Sequence, residues 1–137
     1  MKKFINHVDA VLRESLSGLQ AAHADILTVH FDPTFVRRTA LTPGKVALIS
    51  GGGTGHEPLH TGYVGLGMLD AACPGDVFAG PPVEFVTETS KLMDTPAGVL
   101  YIVNNYTGDR AAWEMAKEIQ EAEGQKIGWL LVNDDVA

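Results

Sequence analysis

A histidine and an aspartate that each follow a predicted buried strand are the candidates for acid–base chemistry in this sequence. His56 comes directly after a glycine-rich run, and Asp109 ends the polar stretch that begins at Asn104. An imidazole titrates near neutral pH, so His56 is placed to act as a general base or to bind a substrate hydroxyl. His60 could act in the same way or be a packed core residue, and Asp109 could instead cap the helix that follows it.

The glycine-rich run is a second candidate for ligand binding. Nine of the chain's 15 glycines lie between residues 51 and 80. Without side chains, the backbone N–H groups of such a loop can approach a phosphate or a small polyol. The run is not a Walker A loop, because no Lys-Ser/Thr pair follows it, and His56 stands where a dinucleotide fingerprint has its third glycine. A tight connection that needs glycine for geometry alone is the alternative interpretation.

Two other motifs are less suited to chemistry. His56 and His60 have the spacing of a zinc-protease motif, which needs both histidines on one helix. The preceding glycines and Pro58 disfavour such a helix, so we predict no metal site. Cys73 is the only cysteine in the sequence, so an internal disulfide is impossible and we predict a packed thiol.

Composition and charge limit the class of protein. The 137 residues are 45% hydrophobic and 20% charged, which predicts one folded domain over 1–137. The net charge of −7 disfavours nucleic acid and anionic membranes as partners. No apolar stretch approaches the roughly 20 residues of a membrane span, and no signal peptide is recognisable, so we expect a cytoplasmic protein.

The pattern of hydrophobic residues predicts the elements that position the candidate side chains. Apolar residues at spacings of three and four predict helices over 4–19, 83–93 and 109–123. Apolar runs rich in branched residues predict strands over 26–31, 45–50, 98–103 and 127–132. Loop signals at 32–33 and 42–44 enclose a segment that we leave unassigned. Strands alternating with helices predict an α/β fold, a mostly parallel sheet with helices on both faces.

The carboxyl ends of the predicted strands carry the most polar stretches of the sequence. These stretches begin at Gly51, Asn104 and Asn133 and include 104–109 and 133–135. Because ligands of open α/β sheets bind at this edge, we expect the candidate residues to meet there. The last strand is followed by neither a capping helix nor a polar tail, so we expect these residues to be part of a longer protein.

Several motifs occur in an order typical of one family, and they lie over residues 46–58, 62–69, 72–75 and 105–109 and at the chain ends, 5–8 and 134–137. They resemble the dihydroxyacetone kinase family, specifically its substrate-binding K subunit. The resemblance covers the whole chain. It implies that residues 1–137 form the N-terminal part of a longer K-type subunit.

The resemblance implies that the chain positions dihydroxyacetone for phosphorylation to dihydroxyacetone phosphate. His56 is then the acid/base beside the substrate, and Asp109 is the base on the accepting hydroxyl. The implied substrate contacts are Gly52, Gly53, Thr54, Gly55, His56, Asn104 and Asp109. In this family the phosphoryl group comes from a partner subunit with bound ADP/ATP, recharged by the bacterial phosphotransferase system, or from ATP in single-chain relatives. We expect no cofactor in this chain, ADP/ATP and magnesium on the partner subunit or domain, and a homodimer at full length.

Two departures from the family pattern leave an alternative open. The family usually has a lysine at the position of Asn104, and an amide supplies no charge there. The histidine that binds dihydroxyacetone covalently lies beyond Ala137 in the family, so we expect residues 1–137 alone to be inactive. The family also includes paralogues that bind dihydroxyacetone as transcriptional co-activators, and Asn104 makes this the alternative function.

Overall fold

A computed structural model describes residues 2–133, which form one six-stranded mixed sheet with helices on both faces. The strands are β1 (Leu27–Phe31), β2 (Thr34–Arg38), β3 (Ala47–Thr54), β4 (Ala71–Val77), β5 (Val99–Asn104) and β6 (Ile127–Val132). The α-helices are α1 (Val11–Ala22), α2 (Val83–Met93) and α3 (Thr107–Ala122), and two short 3₁₀ turns are Val8–Ala10 and Thr61–Tyr63. In the described part of the chain, no helix combines the length and hydrophobicity needed to span a bilayer.

The sheet has the order β1-β2-β4-β3-β5-β6. β4, β3, β5 and β6 run parallel to one another, whereas β2 is antiparallel to both β1 and β4. β5, α3 and β6 form a βαβ unit, since the two strands are parallel neighbours joined through the helix. The α/β fold with a mostly parallel sheet is therefore confirmed.

Two clusters of buried residues lie on the two faces of the sheet. On one face, Val86 of α2 and Trp113 of α3 pack with sheet residues that include Ile49 and Tyr101. On the other face, Leu16 of α1 packs with residues of β1, β2 and β4. Burial of these side chains is the main source of stability, at roughly 25 cal/mol per Å² of apolar surface. The helices on both faces that the sequence predicts are thus present.

The first predicted helix begins later than its apolar pattern indicates. α1 starts at Val11 after a 3₁₀ turn, and Phe4 and Val8 are exposed. Within residues 2–133, no helix or strand covers the side chains of Phe4 and Val8. A short helix forms only where tertiary packing supports it, and that support begins with Leu12 and Leu16 on the sheet.

Two strands were not predicted, and one extends further than predicted. β2 fills the unassigned segment, and β4 contains a Cys73-Pro74-Gly75 sequence that is atypical of a strand. Proline is tolerated because β2 pairs with β4 only at residues 71 and 72, so Pro74 has a strand neighbour only in β3. β3 continues through the glycines to Thr54, whereas the prediction ended it at residue 50.

A buried ion cluster joins β2, β3 and β4 through Asp70. Its Oδ1 atom accepts a hydrogen bond from Arg38 Nη1 at 3.0 Å, and Oδ2 accepts from Leu48 N and Lys45 Nζ, each at 2.8 Å. Burial raises the pKa of Asp70, but the hydrogen bonds from these three donors outweigh it, and the pKa lies below its usual value. The carboxylate therefore stabilises the folded state in its charged form.

Candidate functional site

His56 and Asp109, predicted on separate segments, line one cavity at the carboxyl ends of β3, β4 and β5. The cavity has a volume of about 280 Å³, and its walls are Gly53, His56, Phe78, Ala79, Gly80, Tyr106, Gly108 and Asp109. The position follows from the topology, because parallel neighbours place the loops that follow them at one edge of the sheet. The structure thus brings together three of the predicted site residues, Gly53 among them.

The turn after β3 sets the position of the His56 ring. Gly55 has a φ of +123°, a conformation that side chains rarely adopt, and its N–H donates to Glu57 Oε2 at 2.8 Å. The His56 ring is partly buried and lies against the Tyr106 ring, with 5.3 Å between the ring centroids. One ring face is therefore supported by the protein while the ring remains beside the cavity.

Asp109 is a buried carboxylate in the first turn of α3. It is only 4% exposed, and burial raises the pKa of its carboxyl group, while the charge of His56 partly opposes that shift. The alternative in which Asp109 is the helix N-cap is wrong, since Tyr106 occupies that position and α3 has no side-chain cap hydrogen bond. Asp109 is available as a proton acceptor whose basicity the protein increases.

Two glycines leave room for this carboxylate. A Cβ atom on Gly80 would lie 2.6 Å from Asp109 Oδ1, and one on Gly52 would lie 3.5 Å from Oδ2. Gly53 faces the other side of the loop, where a Cβ atom would meet Ala79 N at 2.9 Å. The glycines near the cavity thus serve close packing around Asp109 and the β4–α2 loop. Of these three, none has a positive φ.

The remaining predicted contact residues lie near this cavity but not in its wall. Gly52 and Thr54 line a second cavity of about 190 Å³ between the glycine run and α1. The Thr54 hydroxyl donates to Gly75 O at 2.7 Å, and Gly55 lies against the Phe78 ring. Asn104 lies beside His60 instead, with 3.2 Å between Nδ2 and Nε2. From the last polar stretch, Asn133 contacts Asn105, and residues 134 and 135 fall outside the described residues.

The His56–His60 pair does not form one metal-binding surface. His60 is buried, and both of its ring nitrogens have protein partners, Ser50 Oγ at 2.8 Å and Asn104 Nδ2 at 3.2 Å. Between residues 2 and 133, no group of three or more His, Cys, Asp or Glu side chains could hold a metal ion. Cys73 is buried, as predicted, and this burial raises the pKa of its thiol to about 12.

The β4–α2 loop contributes cavity residues that sequence reasoning missed. Phe78, Ala79 and Gly80 follow β4, and their role was hidden because the strand before them was not recognised. Phe78 has a φ of 55° and is 83% exposed, an uncommon conformation for a large apolar residue. Its N–H donates to Thr54 O at 2.8 Å, which joins the loop to the end of β3. Tyr106 and Gly108 complete the wall from the start of α3.

Fold and site together define an α/β domain in which a histidine and a buried aspartate line one cavity at the carboxyl edge of the sheet. The Dak1 domain matches residues 17–137. The chain therefore belongs to the Dak1 domain family, which confirms the predicted resemblance.

The similar proteins include several dihydroxyacetone kinase subunits. The chain is 49% identical to the Escherichia coli (strain K12) protein named "PEP-dependent dihydroxyacetone kinase, dihydroxyacetone-binding subunit DhaK", covering 100% of this chain and 38% of that protein. It is 46% identical to a PTS-dependent counterpart from Listeria innocua, covering 100% of this chain and 42% of that protein. The chain thus spans less than half the length of these two relatives.

Two solved structures are also similar. The dihydroxyacetone kinase of C. freundii, in complex with AMP-PNP and Mg²⁺, superposes with a TM-score of 0.93 at 40% identity, over 98% of this chain and 26% of that one. The dihydroxyacetone kinase operon co-activator Dha-DhaQ has a TM-score of 0.86 at 31% identity, over 90% of this chain and 38% of that one. Both the kinase and the co-activator therefore share this fold.

Proposed function

We propose that this chain is the dihydroxyacetone-binding part of a dihydroxyacetone kinase and positions the ketose for phosphorylation to dihydroxyacetone phosphate. The observation that carries the proposal is the meeting of His56 and Asp109 on one small cavity. Phosphoryl transfer depends mainly on an aligned hydroxyl and on charge stabilisation. An imidazole and a carboxylate across a cavity supply that alignment.

Asp109 accepts the proton of the substrate hydroxyl as that hydroxyl attacks the phosphoryl group. Its raised pKa makes the carboxylate a stronger base than an exposed aspartate. His56 forms a hydrogen bond to the substrate and limits its orientation, with the Tyr106 ring as support. Gly52, Gly53, Thr54, Gly55 and Asn104 are proposed as further substrate contacts.

The nucleotide and its magnesium do not fit the cavity of this chain. None of the residues in its wall is a lysine or an arginine, and the wall has one carboxylate, that of Asp109. A triphosphate carries several negative charges and needs cationic partners. We therefore propose that a partner subunit or domain supplies the phosphoryl donor, and that this chain is part of a longer cytoplasmic K-type subunit that forms a homodimer.

A test of this function measures both binding and turnover in the protein that contains this chain, with its phosphoryl-donating partner. His56→Asn and Asp109→Asn should each lower turnover by roughly 10²–10⁴-fold, the usual effect of losing a positioned acid or base. Asp25→Asn, at an exposed position, is the matched control. Near-normal turnover in both site variants would contradict the proposed roles.

A second candidate function is dihydroxyacetone binding without catalysis, as in a transcriptional co-activator. Two observations favour it: the similarity to the co-activator structure and an amide at Asn104, where the family usually has a lysine. The turnover assay separates the two functions. Binding of dihydroxyacetone without phosphorylation, in the presence of the donating partner, would establish the second.

A further inference from the structure

Hydrogen bonds determine which ring nitrogen of the buried His60 carries the proton. The Ser50 hydroxyl has one proton, and its Oγ atom lies 2.6 Å from the Ile102 carbonyl oxygen, which can only accept. His60 Nδ1, 2.8 Å from the same Oγ, must therefore be the donor in their contact. The neutral ring then carries its lone pair on Nε2, and Asn104 Nδ2 donates to it at 3.2 Å.

This contact commits one N–H of the Asn104 amide to the protein and fixes the orientation of the amide. The carbonyl oxygen Oδ1 is then an acceptor that can bind a ligand, beside the second N–H of Nδ2. Asn104 directly follows Val103, which pairs in register with Gly51, so its amide lies next to the glycine run. A Cβ atom on Gly52 would lie 2.9 Å from His60 Nε2 and 3.5 Å from the candidate base, Asp109 Oδ2. Gly52 therefore keeps open a space that adjoins His60 and the candidate base.

We propose that His60 is a positioning residue that holds the Asn104 amide so that its carbonyl oxygen accepts a hydrogen bond from a hydroxyl of the bound ketose. The inference rests on the proposed function, and it concerns how this chain binds a hydroxyl at a position where a lysine would offer only donors.

The neutral state of the ring agrees with this role. Burial lowers the pKa of His60 to about 4, with His56 acting in the same direction and Glu57 opposing. The Nε2 lone pair is therefore available near neutral pH. Protonation would place a second donor against the Asn104 nitrogen and break the contact.

Two conservative substitutions separate the roles of the two ring nitrogens. In His60→Asn the new amide reaches about as far as Nδ1, so a partner for Ser50 remains while the acceptor for Asn104 is lost. In His60→Gln the new amide reaches about as far as Nε2, so the acceptor for Asn104 is retained. We expect His60→Asn to weaken dihydroxyacetone binding roughly 3- to 10-fold, the effect of one hydrogen bond, and His60→Gln to weaken it less.

The experiment measures dihydroxyacetone affinity by calorimetry for these variants, for Asn104→Ala and for the double variant His60→Asn/Asn104→Ala. Because His60 acts through Asn104, the double variant should bind no more weakly than Asn104→Ala alone. Equal losses in the two His60 variants, or losses that add in the double variant, would overturn the inference. No binding by the unsubstituted protein would overturn the proposed function as well.

A second measurement does not depend on substrate or on variants. Ring ¹⁵N chemical shifts of the unsubstituted protein should show His60 protonated on Nδ1 and unprotonated on Nε2 at neutral pH. A ring that carries its proton on Nε2, or that titrates near the usual histidine pKa, would also overturn the inference.

Discussion

Replacing Asp109 with asparagine is expected to change turnover and stability in opposite directions. The asparagine side chain has nearly the same shape but cannot accept the substrate proton. A loss of roughly 10²–10⁴-fold in turnover corresponds to about 2.7–5.4 kcal/mol of activation free energy. Asp109 is 4% exposed and makes no cap hydrogen bond, so its charge is desolvated without compensation from such a bond. Removing that charge should raise the free energy of unfolding at neutral pH.

The pH dependence of stability gives the sign of the expected stability change independently. The pKa of Asp109 is raised in the folded state above the ordinary 3.8, so the unfolded state loses its proton first as the pH increases. The contribution of Asp109 to the free energy of unfolding therefore falls as the pH rises from the ordinary pKa to the raised one. Above both pKa values this contribution stays constant at its lower level. The stability difference between Asp109→Asn and the unsubstituted protein should be smallest at low pH and should grow through this range.

Two assays check this prediction, steady-state phosphorylation of dihydroxyacetone and urea unfolding at several pH values. Asp25→Asn at an exposed position controls for loss of a carboxylate in general. If Asp109 did not accept the substrate proton, the asparagine variant would retain turnover, since its side chain has nearly the same shape. That result, or a fall in stability at neutral pH, would refute the reasoning.

Three further substitutions test other parts of the structure. Gly53→Val should weaken dihydroxyacetone binding more than it weakens folding, because the new side chain meets backbone atoms of Phe78 and Ala79 and displaces this part of the cavity wall. The loss of stability should be about 1–3 kcal/mol; intact affinity with a collapsed melting temperature would show a structural role. Asn104→Lys should tighten binding by about 1–2 kcal/mol, because a cationic donor beside the ketose oxygens outweighs the lost Oδ1 acceptor; unchanged or weaker binding by calorimetry would mean that the site is adapted to asparagine and would favour the co-activator function. Asp70→Asn should destabilise the fold by roughly 3–5 kcal/mol, since two buried or partly buried cations lose their partner. Because the pKa of Asp70 is lowered, its contribution to stability is present above the usual aspartate pKa and is lost as the pH falls below it. The free energies of urea unfolding of the unsubstituted protein and the variant should therefore converge at low pH. A difference that stays constant with pH would contradict this.

Local sequence patterns were sufficient to predict the helices and strands whose apolar residues follow one regular pattern. α3 has a regular apolar side and Gly124 after its end, and it was predicted to within two residues. β5 and β6 are continuous apolar runs between polar loops, and they were predicted to within one residue. The site residues His56 and Asp109 could be selected for the same reason, because polar residues directly after buried strands of a parallel sheet converge at one edge.

Tertiary contacts decided what the local pattern could not show. β4 is a strand in spite of Pro74 and Gly75 because β3 pairs beside it, and without β4 the contribution of Phe78 to the cavity was not foreseeable. The roles of individual glycines depend on neighbours distant in sequence, such as Asp109 beside Gly80.

By itself, the sequence determined the α/β class, most of the helices and strands, and the edge of the sheet at which polar residues gather, since these depend on hydrophobic periodicity along the chain. Only the tertiary structure decided which polar residues face one another. It placed His56 and Asp109 on one cavity and turned His60 and Asn104 toward each other. The physical reason is that burial and hydrogen-bond direction are set by packing between segments far apart in the chain, and a local pattern carries no information about that packing.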